Sequence, residues 1–232
     1  MMSLIELLPL ALLGGVVGMD VVTFPQAMIS RPIVAASLGG ALAGDPLSGL
    51  VAGATLELIA LETLPVGASR YPEWGSASVV GGALFADRGG DPTHQAAALV
   101  LSVLAGVATA WIGGWSMYQL RRLNAFWAHR SSDRVQRGDR GAVMSLQLRG
   151  LTGDLVRGML LTIAALWVTR AMLDFSLARW TVDATTSRAI VAGISGAAAL
   201  AAAWTLTHVT TAARWFLIGG LALGVILVLV ML

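Results

Sequence analysis

Three acids stand in a stretch otherwise built to avoid water. Residues 53–75 read GATLELIALETLPVGASRYPEWG, with Glu57 and Glu62 among leucines and Glu73 beside Trp74. Thr55 and Ser69 add hydroxyls, and Gln26 adds an amide upstream. Carboxylates and amides exchange hydrogen bonds with hydroxyl groups, and a Tyr71 or Trp74 ring can cover an apolar face. The set suits a neutral polyol or a cation. The alternative is a group of buried acids paired with Arg31 or Arg70 to hold helices together.

Other chemistries find no support. There is no cysteine, which removes disulfides, thiol catalysis and cysteine-ligated metals. The three histidines, His94, His129 and His208, have no neighbouring glycine-rich phosphate cradle or orienting carboxylate, and read as structural or surface groups. Nucleotide-binding, hydrolase and metalloprotease motifs are missing. No catalytic residue, cofactor or metal is expected.

The elements that must position the acids are membrane-like. The chain has 232 residues, 56% hydrophobic and only 12% charged, as expected of an all-α polytopic integral membrane protein. Apolar runs cover Leu4–Val22, Ile33–Gly44, Leu47–Leu64, Ala77–Ala86, Gln95–Tyr118, Leu155–Met172, Ala189–Val209 and Trp215–Leu232. A crossing helix needs about 20 residues, so Ile33–Gly44 is too short to cross unaided. The first run lacks a basic flank and a small-residue cleavage site and carries Glu6, so it is read as a retained helix.

Proline and glycine break the region around the acids. Pro25, Pro32 and Asp45–Pro46 interrupt it upstream, and Pro65, Gly67, Pro72 and Gly75 downstream. The eight strongly apolar residues of Leu47–Leu64 favour insertion by about 2–5 kcal/mol, while each charged carboxylate opposes it by about 3 kcal/mol. The segment is therefore expected inside the bundle or on a wet cavity, with its helix ended by Pro65 and Gly67. Short, broken or re-entrant segments of this kind mark transporter substrate sites, because unwound backbone survives at membrane depth only in protein or at a cavity.

Charge divides the chain. Residues 119–157 hold eight Arg against three Asp, a balance of +5, within a chain of net +2. Three parts follow: an N-terminal membrane half over 1–118 with a broken substrate region at 30–75, a basic segment over 119–157, and a C-terminal membrane half over 158–232. The basic segment is expected at the cytoplasmic face, which accounts for its charge without nucleic acid. Leu120, Leu123 and Trp127 suggest a helix lying in the interface. RPIVAASLGGALAG (31–44) echoes RAIVAGISGAAALA (188–201), read as chance similarity in an apolar composition. Abundant Gly and Ala point to tight helix packing or a homo-oligomer.

The block SRPIVAASLGGALAGDPLSGLVAGATLELIALETLPVGASRYPE (30–73) resembles the membrane subunit IIC of the mannose–fructose–sorbose family of bacterial sugar phosphotransferase systems. The matching elements are Arg31–Pro32, Gly44–Asp45, Gly49, Gly53, Thr55-Leu56-Glu57, Val66-Gly67-Ala68 and the Pro72-acid pair, and Arg122-Leu123-Asn124 through Gly138-Asp139 resembles the family's polar cytoplasmic segment. The resemblance implies an inner-membrane permease subunit that carries a sugar beside subunit IID. Soluble IIA and IIB relay phosphate on histidines of their own, so IIC is not phosphorylated. It also implies a sugar site built by 30–73, with Glu57 and Glu73 as the best carry-over. Read from their own chemistry, Glu62, Ser69, Gln26 and Thr55 are further contacts, and Arg31, Pro32, Asp45 and Gly67 take structural or gating roles. The chain departs from the pattern where Met28 and Pro65 replace amides and where Glu62 replaces a small residue. Two rivals stand beside this expectation: a proton- or cation-coupled transporter using Glu57 and Glu62, and a non-transporting membrane scaffold or sensor.

Overall fold

The computed structural model describes residues 4–61, 71–90, 94–179 and 183–207, with a few positions beyond at 215, 218–220 and 222. Its elements are α1 (Leu4–Asp20), α2 (Pro32–Leu42), α3 (Pro46–Ala60), α4 (Trp74–Arg88), α5 (Gln95–Arg130), α6 (Ser132–Gln136), α7 (Arg140–Leu177) and α8 (Ala184–Thr207). No strand occurs among the described residues, and the fold is all-α.

Local chemistry sets the helix starts. Pro32 opens α2 after an extended Arg31. Asp45 caps α3, accepting from the N–H groups of Leu47 at 3.0 Å and Ser48 at 3.1 Å, and Pro46 follows it. Between the two helices Gly44 takes a φ of +100°, which closes the hairpin turn. Glu73 caps α4 and Asp139 caps α7.

At about 1.5 Å per residue, α2 and α3 span about 16 and 22 Å, short of the roughly 30 Å hydrocarbon core. Among the described residues, α5 and α7 are the helices long and apolar enough to cross. The α2–α3 hairpin and α1 pack around α4, which is buried from Trp74 through Phe85. Close approach needs glycine: a Cβ on Gly39 of α2 would stand 2.6 Å from the Val79 carbonyl oxygen of α4, and one on Gly82 of α4 would strike Ala36 of α2.

Several expectations change. The helix through Glu57 ends at Ala60, ahead of Pro65, so Glu57 and Glu62 do not share one described helix. On α3, Leu47, Leu50 and Val51 are exposed, with Leu47 and Val51 in the wall of a cavity, while Gly49, Ala52, Gly53, Thr55, Leu56 and Ala60 are buried, and Glu57 is met by an arginine within the fold. Leu120, Leu123 and Trp127 belong to the uninterrupted α5 rather than to a separate interfacial helix. The echo, read as chance similarity, falls on unlike elements: 31–44 spans a short helix and its turn, and 188–201 lies within the longer α8.

Candidate functional site

The broken region gathers at the ends of four elements. The end of α1, the start of α2, the end of α3 and the approach to α4 enclose a small chamber of about 80 Å³. Ser30, Arg31, Ala60, Tyr71 and Trp74 stand in its wall.

Arg31 forms an ion pair with Glu57 of α3, and the second Glu57 oxygen accepts from the Ile33 N–H at 3.2 Å. One carboxylate thus neutralises the arginine and satisfies a donor in the first turn of α2, locking the α2–α3 hairpin at its open end. Ser30 is fixed by Asp20, a 2% exposed acid at the end of α1. The Asp20 carboxylate accepts from the Ser30 N–H at 2.9 Å, the Ser30 hydroxyl at 2.8 Å and the Ala27 N–H at 2.6 Å. These bonds hold a loop in which Gln26 and Met28 take φ values of 58° and 62°, in the left-handed region that non-glycine residues seldom occupy.

Glu73, between the chamber residues Pro72 and Trp74, points elsewhere. Its side chain is fully buried, and one oxygen accepts from the Ser76 N–H at 3.0 Å. The other lies 3.8 Å from Nη1 of Arg157 on α7. Arg157 Nε donates to Asp154 at 2.9 Å, Asp154 accepts from the Thr23 hydroxyl at 2.6 Å, and the Ser76 hydroxyl donates to the Gly14 carbonyl at 2.9 Å. A buried polar cluster therefore ties α1, the loop after it, α4 and α7. At the far end of α4, Asp87 meets Arg170 at 2.7 Å, and Arg88 meets Asp174 at 2.8 Å.

The sequence-derived candidates separate into groups. Glu57, Arg31 and Pro32 come together at the chamber, and Glu73 stands beside it in the chain but turns into the α7 cluster. Thr55 is buried and donates to the Val51 carbonyl of its own helix at 3.1 Å. Gln26 is exposed and bonds the Val22 carbonyl at 3.0 Å. Asp45 is the α3 cap. Glu62, Ser69 and Gly67 lie outside the described residues, as does His208. Sequence reasoning missed Asp20, Thr23, Asp154 and Arg157. For Asp20 the signal was an isolated acid closing an apolar run, and for Asp154 and Arg157 an acid–arginine pair three residues apart entering one.

Outside the apolar region, Asp139 illustrates ordinary capping. The side-chain hydrogen bond from Arg134, at 2.9 Å, and the Ala142 and Gly141 N–H groups hold its carboxyl below the usual carboxylate range.

Comparison with known proteins decides the lineage. Residues 4–230 match the model of the PTS system sorbose-specific IIC component family. The chain belongs to this IIC family. It is 26% identical over 164 residues to the fructose permease IIC component of Bacillus subtilis (strain 168), covering 70% of this chain and 57% of that protein. It is 37% identical over 78 residues to the sorbose-specific EIIC component of Lacticaseibacillus casei, 34% of this chain and 28% of the other. Its counterpart from Klebsiella pneumoniae is 30% identical over 108 residues, 47% and 38% of the two chains. The IIC chain thus spans less than two thirds of the length of these relatives. A solved chain described as "Structure of membrane protein" superposes with a TM-score of 0.72 at 18% identity, covering 100% of this chain and 95% of that one, so the fold is shared. The IIC chain is an integral membrane protein.

Proposed function

We propose that this chain is the sugar-translocating IIC subunit of a phosphotransferase permease, a multi-pass protein of the bacterial inner membrane. Membership of the IIC family over residues 4–230 carries the reading. The geometry supports it, because the broken elements converge on one chamber with an arginine, a hydroxyl and two aromatic residues in its wall. At about 80 Å³ the chamber is below the roughly 300 Å³ at which small-molecule pockets begin, so the sugar enters only when its walls part. Parting them exposes Arg31 and Glu57 to sugar hydroxyls, while Glu73 keeps the start of α4 in place. Glu62, Ser69, Gln26 and Thr55 remain further candidates for sugar contact, and Gly67 for gating.

In this reading IIC performs no phosphoryl transfer. It works beside a IID subunit, and IIB charged by IIA phosphorylates the sugar at the cytoplasmic face, next to the arginine-rich segment 119–157. The relatives are named for fructose and sorbose, both ketohexoses, so a ketohexose is the first substrate to test.

The test uses inverted vesicles carrying the chain with its IID subunit, supplied with IIA, IIB, the phosphocarrier proteins and phosphoenolpyruvate. Formation of labelled fructose or sorbose phosphate that needs this chain is the expected result. Uptake that survives without phosphoenolpyruvate but collapses with the proton gradient would replace this reading by a cation-coupled carrier.

A further inference from the structure

A second, larger cavity of about 480 Å³ lies where the loop after α1 meets the arginine-rich end of α5 and the first half of α7. Its volume falls within the range of small-molecule sites. Thr23, Arg121, Asn124, Trp127, Gln147 and Asp154 supply its chemistry. We propose that this cavity is a second sugar subsite, which receives the sugar from the small chamber and holds it at the arginine-rich face. The proposal rests on the sugar-translocating reading and extends it.

The lining selects the ligand class. Two amides, a hydroxyl and a carboxylate offer acceptors and donors for hydroxyl groups, and the Trp127 indole offers a face for sugar C–H bonds. The Asn124 side-chain oxygen is buried without a hydrogen-bond donor, a costly arrangement that a ligand hydroxyl relieves. An anion fits less well. Asp154, its side chain 7% exposed, is itself negative and lies in the same lining as Arg121, the one arginine there among the described residues.

That engagement also makes the two spaces neighbours. Tyr71 walls the small chamber and Arg121 the large one, and Arg121 Nη2 donates to the Tyr71 hydroxyl at 2.5 Å, its guanidinium 5.1 Å from the ring centre. Consecutive residues repeat the division: Val21 lines the chamber and Val22 the cavity. The Tyr71–Arg121 contact joins the wall of the chamber to that of the cavity, and the Thr23–Asp154 bond lies in the cavity's own lining. Movement of the loop and of Tyr71 joins the two spaces without disturbing the Asp87–Arg170 end of α4.

Equilibrium dialysis of the purified full-length protein in detergent, with labelled D-fructose and L-sorbose, tests the subsite. Wild type is expected to bind two sugars per chain. Gly150→Leu should reduce this to one: a Cβ at Gly150 meets only the Asn124 amide nitrogen, at 3.7 Å, so the added side chain fills the cavity without a backbone clash. Asn124→Leu and Trp127→Ala should weaken the second site about tenfold, and Trp127→Phe should restore most of it. Melting temperatures of all variants control for folding. One sugar per chain in wild type, unchanged by Gly150→Leu, overturns the subsite and leaves the permease reading standing. Absence of all sugar binding in wild type overturns both. Displacement of bound sugar from this cavity by glycerol 3-phosphate at lower concentration than by sugar also overturns it, in favour of an anionic lipid headgroup site.

Discussion

Glu73 and Arg157 face each other 3.8 Å apart across the α4–α7 contact, the carboxylate wholly buried and the guanidinium nearly so. The arginine also serves Asp154, so one cation answers two acids. This asymmetry makes the two sides of the pair unequal. Glu73→Gln keeps an oxygen for the Ser76 N–H and leaves Arg157 paired with Asp154, and should cost about 1 kcal/mol. Arg157→Met strands two buried carboxylates and should cost about 3–5 kcal/mol. Melting of the purified variants in one detergent checks the order. Equal losses would mean that Asp154 draws its support from elsewhere.

Arg31 and Glu57 form the contrasting pair, because the Arg31 side chain is 42% exposed. Such a pair is worth at most about 1 kcal/mol of stability. Arg31→Gln and Glu57→Gln should therefore melt close to wild type while lowering phosphoenolpyruvate-dependent sugar phosphorylation at least tenfold. A loss of activity matched by a parallel loss of stability would assign the pair to hairpin structure alone.

The sequence announced its breaks clearly and its long-range partners hardly at all. Pro32 and Asp45–Pro46 stand at the helix starts where proline and a capping acid belong, since those rules act over four residues. The end of α3 was harder: Pro65 seemed the natural stop, yet the helix closes at Ala60, so proline limits where a helix can run without fixing where it ends. Glu57 was legible as a charge that needs a partner, but that partner, Arg31, 26 residues away, was one of two arginines on offer. The Thr23–Asp154 bond spans 131 residues and leaves no local pattern. Nor did periodicity separate an interfacial helix from the end of α5, because a helix that leaves the membrane carries the same 3- and 4-residue steps.

Asp20 accepts three hydrogen bonds from a loop that holds two non-glycine residues at positive φ. Asp20→Asn keeps one acceptor oxygen and must lose part of this set. A loss of about 1–3 kcal/mol is expected, with faster proteolytic cleavage within 21–30. In contrast, Met28→Gly should not destabilise, because relief of the left-handed strain offsets the added chain entropy. A lower melting point for Met28→Gly than for Met28→Ala would refute the strain.

The α7 cap titrates. Asp139 has its carboxyl held below the ordinary value in the folded protein, chiefly by Arg134, so its contribution is present above the unfolded carboxylate pKa. That contribution is lost as pH falls through the lowered folded value. Amide protection at Gly141 and Ala142 should therefore persist at pH 6 and weaken below about pH 4, after correction for intrinsic exchange. Asp139→Ala should remove the pH dependence. Protection in wild type that matches Asp139→Ala at every pH would show that the backbone alone holds this turn.

Both ends of α4 are anchored to the same helix. Glu73 and Asp87 are 14 residues apart on one side, Arg157 and Arg170 are 13 apart on the other, so α4 and α7 run in parallel with matched ends about 20 Å apart. Two anchors at that separation share no partner, and their energies should add. Glu73→Gln combined with Asp87→Asn should destabilise by the sum of the single changes to within about 0.5 kcal/mol. The Asp87–Arg170 pair, in contact, should instead show a coupling of about 1 kcal/mol or more in its own double-mutant cycle. Strong coupling between Glu73 and Asp87 would mean that releasing one end lets α4 slide along α7, making the helix a moving part of the fold rather than its fixed frame.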